Sequence, residues 1–265
     1  MEQELVVTET RDNVFTIIFN RPERRNALNY VMLTKINEII GRIRQEGRVR
    51  CLVLRGAGDK AFSSGYDIAD IPTNLTPEET ARIKRSSPFQ GTLNTVLGFP
   101  YPVIAMINGA ALGAACDLTL CCDIRIAAEN ALMGIPPAKL GIVYQAEGIQ
   151  RIVNVAGLAN AKEMIFTGRS YAAPAAKDMG LVHYVLPQDR LESFTYDMAR
   201  EISENAPLSL KGMKFIFNRC LAHQRLDPAS AAEVEALRAE AFNSEDIKEG
   251  QRAFKEKRKP VFQGT

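Results

Sequence analysis

The stretch from Pro102 to Asp123, PVIAMINGAALGAACDLTLCCD, decides how the rest of the chain is read. Val103 to Ile107 predict a buried strand, Asn108-Gly109 ends it, and the Ala-, Gly-, Leu- and Cys-rich run that follows predicts a closely packed, buried helix. Small residues at Ala110, Ala111, Gly113, Ala114 and Ala115 let another backbone or a ligand approach the first turn of that helix. N–H groups there have no intrahelical acceptor and suit an oxygen bearing negative charge. Asp117 is out of place, a carboxylate among apolar neighbours. If buried it needs a hydrogen-bond donor, or it must give up its charge. A transmembrane helix would need about 18 apolar residues. Asn108, Gly109, Gly113 and Asp117 inside the run, with no second such segment, argue against one.

Outward from this stretch, the order of elements is that of an α/β protein. LVVTET (4–9) and VFTIIF (14–19), joined by Asp12-Asn13, predict a hairpin. NRPERRNAL (20–28) is a basic polar loop, and Asn29 caps a helix whose face is Met32, Ile36, Ile39, Ile40 and Ile43. Cys51 to Leu54 is a short buried strand, so a strand–helix–strand order implies a parallel pair. AFSSGYDIADI (61–71) is a loop centred on Gly65, and residues 72–98, with Pro72, Pro77 and Pro88, predict a mobile flap outside the core. Ile124 to Ala127 and Leu132-Met133 are further strands. GIPPAKLGIVYQAEGIQR (134–151) is a turn that leads into a helix.

Beyond about residue 157 the pattern is almost wholly helical, apart from a strand at Val182 to Leu186. One stripe is Leu191, Phe194, Met198 and Ile202; a second is Leu210, Met213, Phe217 and Leu221. Ser244 caps a last helix that ends in a basic cluster before Pro260. We therefore divide the chain into an α/β core over 1–190 and a helical region over 191–265 that packs on another subunit.

The totals exclude several classes of function. At 265 residues, 46% hydrophobic and 24% charged, the composition is that of a globular protein with a substantial core. A formal net charge of +2 gives no reason to expect nucleic acid or a membrane surface as partner. The acidic opening MEQELVVTET has no apolar segment of the secretory kind, so we expect a cytoplasmic protein. Its five cysteines lack CxxC spacing and are expected to be reduced core residues. The two histidines, His183 and His223, have no ligands at metal-site spacing, so no metal is expected.

Taken together, NRPERRNAL (20–28), FSSGYDI (62–68), NGAALGAACDL (108–118), the 134–151 segment and EKRKPVF (256–262) resemble the crotonase superfamily, also called the enoyl-CoA hydratase/isomerase family. The resemblance runs along nearly the whole chain in the right order. It implies a spiral of repeated ββα units with a C-terminal helical trimerisation region, a homotrimer or dimer of trimers, and an acyl-CoA thioester substrate with no separate cofactor. It also implies an oxyanion hole made by the backbone N–H groups of Tyr66 and Ala114. Coenzyme A would lie along Arg24, Arg25, Ala27, Ser64, Gly65, Asp67 and Ile68, with Lys257 reaching its phosphates from a neighbouring subunit.

Hydratases of the family add water with two glutamates, at the positions of Asp117 and Pro137 here. The first is shortened and the second cannot ionise, whereas a water-adding site needs an acid and a base within about 3 Å of one water. Tyr144 in GIVYQ, with DIADIP, KLGIVYQ, EMIFTGR, ISENAPL and SEDIKEGQRAFKEKRKP, resembles instead the methylmalonyl-CoA decarboxylase branch. That branch carries histidine where this chain has Tyr66. In this reading Tyr144 donates a hydrogen bond to the carboxylate that leaves. Two other readings stay open: a hydratase or isomerase using Asp117, Glu147 or a flap residue, and a catalytically silent CoA-thioester binding protein in which Tyr144 and Asp117 are structural.

Overall fold

The two N-terminal runs form the hairpin that their alternation predicts. Strands β1 (Val6–Arg11) and β2 (Val14–Phe19) pair antiparallel, with Asp12 left-handed at the turn (φ 53°). In this computed structural model residues 4–67, 87–222 and 228–263 are described. Helix α1 (Tyr30–Glu46) is capped by Asn29, whose side chain accepts from the Met32 N–H at 2.9 Å. Its face of Met32, Leu33, Ile36, Ile39, Ile40 and Ile43 is buried, each side chain stabilising by roughly 1.5–3 kcal/mol.

The chain then repeats one pattern three times. Strand β3 (Cys51–Gly56) is followed by β4 (Ala61–Ser63), β5 (Val103–Ile107) by β6 (Ala110–Leu112), and β7 (Ile124–Ala128) by β8 (Leu132–Gly134). Each pair gives one strand to each of two sheets. With β9 (Tyr171–Ala172) and β10 (Tyr184–Leu186) the sheet orders are β1-β2-β3-β5-β7-β10 and β4-β6-β8-β9. Parallel pairs β3·β5 and β5·β7 step in register with β4·β6 and β6·β8. This is the spiral of ββα units.

Two expectations are corrected here. Ala110–Leu112 is strand, not helix, because its backbone pairs with β4 and β8; after α2 (Pro88–Leu97), helix α3 (Ala114–Leu120) begins only past Gly113. The supposed flap at 72–98 falls partly on 68–86, outside the described residues, but α2 itself is a core element. Ser87 caps it, accepting from the Gln90 N–H, and Leu93 and Val96 are fully buried against α1. Apolar residues at i and i+3 behind a Ser-Pro start are a helix signal that the surrounding prolines obscured.

Helix α4 (Ala146–Thr167) follows a 3-10 turn at Pro137–Leu140, and α5 (Ala173–Asp178) leads to β10. The large sheet is apolar on both faces, as a parallel sheet covered on both sides must be. Leu52 and Leu54 of β3 belong to the core shared with α1. Cys51 and Val53 point the other way, toward Leu191 and Ala199 of α6 (Gln188–Glu204). The stripe of α6 therefore seals the second face of its own sheet.

Helix α7 (Pro207–Ala222) is turned the opposite way. Its polar side binds the body of the chain: Lys214 Nζ donates to Asp123 Oδ2 (2.7 Å) and to the Tyr101 carbonyl (2.9 Å), and Asn218 donates to the Leu97 carbonyl (2.9 Å). Its apolar side, with Met213, Phe215, Ile216 and Phe217, faces outward, Phe217 being 70% exposed. Helix α8 (Pro228–Phe242) has no buried residue, while α9 (Glu245–Lys255), capped by Ser244, packs Gly250 against Leu140 of the 3-10 turn. No helix among the described residues is long and apolar enough to cross a membrane.

Candidate active site

The site is assembled at the start of α3 by two segments that lie side by side. Residues 25–28 pair with 64–67 like a short ladder: Ser64 N–H donates to the Arg25 carbonyl (2.9 Å), Leu28 N–H to Gly65 (2.8 Å) and Asp67 N–H to Leu28 (2.9 Å). Arg21 clamps the edge, its Nη1 donating to the Ala27 carbonyl (2.8 Å) and lying 3.4 Å from Asp67 Oδ2. Gly65 sits at φ 99°, and a Cβ there would stand 2.6 Å from the Leu112 carbonyl oxygen and 3.5 Å from the Ala114 nitrogen. Only glycine permits both the angle and the approach. The contact brings the backbone at Gly65–Tyr66 beside the first residue of α3.

Two buried asparagines hold this arrangement. Asn26 accepts from the Arg21 N–H (3.0 Å) and donates to the carbonyls of Ala57 (3.0 Å) and Ala61 (2.8 Å). Asn108 accepts from the Gly56 N–H (3.0 Å) and donates to Gly58 (2.6 Å) and Ala61 (3.3 Å). Together they satisfy the turn between β3 and β4 from both sides. The tie between the 20–28 loop and the Asn108-Gly109 turn is one that sequence reading did not foresee.

One turn into α3 lies the second feature. Asp117 is fully buried and meets three donors: Arg151 Nε on Oδ1 (2.8 Å), Arg151 Nη2 on Oδ2 (2.8 Å) and the Tyr144 hydroxyl on Oδ2 (2.8 Å). The guanidinium grips the carboxylate in the bidentate fork that only arginine provides. Arg151 and Gly148 are one turn apart on α4. The ring of Tyr144 lies over Gly148, where a Cβ would come within 3.0 Å of Cδ1 and 3.1 Å of Cζ. Burial first, then the Asp117 charge, pushes the Tyr144 phenol well above its usual range, so it stays protonated. Burial works against the Arg151 charge, but its hydrogen bond and charge contact with Asp117 hold it above the usual range.

The structure thus gathers Ala27, Ser64, Gly65, Tyr66, Asp67 and Ala114 in one place, with Asp117 and Tyr144 one turn deeper. Arg24 and Arg25 are exposed on the loop beside them, Arg25 in a left-handed conformation (φ 51°). Glu147 is exposed in the first turn of α4, and Lys257 is exposed beyond the end of α9. Ile68 and His223 lie outside the described residues. Sequence reading asked for a donor to Asp117 but did not find Arg151, whose signal is a cation between Ile149 and Ile152 on the helix that Tyr144 leads into. It also missed Phe89 of α2, which meets the Tyr66 ring edge-on at 6.4 Å. Cys116, Cys121 and Cys122 are buried core thiols; burial, then a neighbouring aspartate, raises Cys116 and Cys122 to about 12.

Comparison with known proteins bears on this arrangement. Residues 9–265 match the family model described as enoyl-CoA hydratase/isomerase. The chain is 36% identical over 265 residues to a putative enoyl-CoA hydratase/isomerase, YngF, of Bacillus subtilis (strain 168), and 31% identical over 265 residues to methylmalonyl-CoA decarboxylase of Escherichia coli (strain K12), each match covering 100% of both chains. It superposes on a structure of methylmalonyl-CoA decarboxylase in complex with 2-nitronate-propionyl-CoA with a TM-score of 0.92 at 30% identity, covering 99% of both. With its ββα spiral and its site segments in the expected order, this chain belongs to the enoyl-CoA hydratase/isomerase family.

Proposed function

We propose that this protein acts on an acyl-CoA thioester and decarboxylates a malonyl-type acyl group, as a methylmalonyl-CoA decarboxylase does. The observation that carries this reading is the state of Asp117: both oxygens are held by Arg151 and Tyr144, and Pro137 stands where a second carboxylate would be. Adding water needs an acid and a base poised on it. Losing CO2 needs neither. The bond from the α-carbon to the carboxylate breaks, its electron pair passes into the thioester as an enolate, CO2 departs, and water supplies the proton that completes the product.

In this reading the enolate oxygen is received by the N–H groups of Tyr66 and Ala114, and removing one such donor costs about 3–4 kcal/mol. Tyr144, a neutral hydroxyl, orients the departing carboxylate without neutralising it; a fixed cation would stabilise the ground state as much as the transition state. Arg24, Arg25 and Lys257 pair with the phosphates of coenzyme A, and Ala27, Ser64, Gly65, Asp67 and Ile68 line the pantetheine and thioester. The outward apolar face of α7 supports a homotrimer or a dimer of trimers, because large exposed apolar patches mark contact surfaces. We place the protein in the cytoplasm, where its thiols stay reduced.

A second reading, hydration or isomerisation of an enoyl-CoA, is favoured by the 36% identity to the Bacillus subtilis relative and by Glu147 near Tyr144 in the chain. Incubation with methylmalonyl-CoA and with crotonyl-CoA separates the readings. Decarboxylation releases CO2 from the first and leaves the enoyl absorbance of the second intact. Loss of that absorbance without CO2 release establishes the second reading, and binding of both without turnover establishes a silent binding protein.

A further inference from the structure

Asp117 accepts from three hydrogens, and the three are not equivalent. Two come from one guanidinium, Nε to Oδ1 and Nη2 to Oδ2 at 2.8 Å each; the third comes from Tyr144, also at 2.8 Å and also to Oδ2. A phenol has a single hydrogen to donate. In this structure that hydrogen points at Asp117, so Tyr144 offers the site an oxygen and no donor. For Tyr144 to hold a substrate carboxylate its hydroxyl must turn away from Asp117. A buried carboxylate left with nothing else would resist that strongly, because it would become an uncompensated charge.

We propose that Arg151 is a positioning residue that makes this turn possible: its fork alone satisfies Asp117, so the Tyr144 hydroxyl is released to the substrate carboxylate while its ring stays seated on Gly148. This inference rests on the decarboxylase reading given above. The arrangement fits the task in three respects. The fork engages both oxygens of Asp117, so one lone-pair direction on Oδ2 suffices for Tyr144 and its loss breaks no other bond. Arg151 is itself held, its side chain 12% exposed, so the counter-charge does not follow the substrate into the site. The ring fills the space that a Cβ at Gly148 would take and packs against the hydrophobic core, so only the hydroxyl hydrogen has to move.

The test is a double-mutant cycle on the full-length protein with methylmalonyl-CoA as the probe, following CO2 release. Arg151→Gln and Tyr144→Phe each lower kcat by roughly 10- to 100-fold with KM within about threefold, the pattern of a lost transition-state contact. The double variant falls no further than the more impaired single, because Asp117 without its fork already holds the Tyr144 hydrogen. If the two losses multiply, Arg151 does not act through Tyr144 and the inference is overturned. Where Arg151→Gln fails to fold, as judged by its melting curve, Arg151→Lys takes its place: the charge is kept, the fork is lost, and the same coupling with Tyr144→Phe is expected at a smaller loss. A wild-type protein that releases no CO2 overturns the decarboxylase reading and this inference with it. An active wild type with multiplying losses removes the inference alone.

Discussion

Two buried polar clusters stand on either side of the start of α3, and they are built on opposite plans. The Asn26–Asn108 cluster is neutral, and all its partners are backbone groups of the turns it joins, the Ala61 carbonyl being shared by both amides. The Asp117–Tyr144–Arg151 cluster is charged and made wholly of side chains. Neutral amides tie main chain to main chain and leave nothing over for chemistry; they give the Gly65–Tyr66 backbone a fixed place beside Ala114. The charged cluster fixes little backbone but sets which hydrogens and charges a bound molecule meets. Scaffold and chemistry are thus carried by different residues within one short stretch.

That contrast can be broken most severely on the neutral side. Asn108→Ala strands the Gly56 N–H and the Gly58 carbonyl, each costing about 1–3 kcal/mol, so we expect a loss of roughly 4 kcal/mol in urea unfolding at an unchanged m-value. On the charged side, Asp117→Ala leaves Arg151 without its counter-charge and should cost about 3 kcal/mol. Adding Arg151→Met to that variant should return stability to within about 1.5 kcal/mol of wild type, since removing both partners leaves no orphaned charge. No such second change rescues Asn108→Ala, because the stranded groups belong to the main chain. A rescue there would erase the distinction.

Tyr144→Phe sharpens the contrast further. Asp117 keeps both bonds to Arg151, so stability should change by no more than about 1 kcal/mol, while turnover of methylmalonyl-CoA falls roughly 10- to 100-fold with CoA binding nearly intact. The smallest effect concerns Arg125, a buried cation bonded to main-chain carbonyls. Arg125 donates to the carbonyls of Leu181 (2.8 Å) and Cys122 (2.6 Å), and its N–H donates to His183 Nδ1 (3.1 Å). Burial, then the Arg125 charge, lowers the His183 pKa below its ordinary 6.5. A lowered histidine means that the unfolded chain binds the extra proton. The contribution is therefore complete above about pH 6.5 and is lost as pH falls from there through the folded value. Melting temperatures across pH 5 to 7.5 should show this shallow decline, and His183→Asn should remove that part of the slope.

Much of this molecule is legible without coordinates. Strand alternation in 4–19, the Asn29 cap with its isoleucine face, and the break at Asn108-Gly109 are local signals, and each found its element. Pairing between distant segments is a different matter. Ala110–Leu112 reads as helix because its small residues suit one; strands on both sides recruit it into the second sheet. The stripe of α6 and that of α7 look alike on paper, yet one seals the chain's own sheet and the other faces outward. Periodicity says that a face is apolar and cannot say what covers it.

By itself the sequence determined an α/β chain of the crotonase kind, the place of the glycine turn at Gly65, and the anomaly of a carboxylate in an apolar run. Those follow from side-chain size, periodicity and the bonding needs of a lone charge, all read within a few residues. Only the tertiary structure decided that Arg151, thirty-four residues further on, grips Asp117 with a fork and that Tyr144 gives it its one hydrogen. The partner of a buried charge is chosen by which helices pack together, and that depends on the whole core.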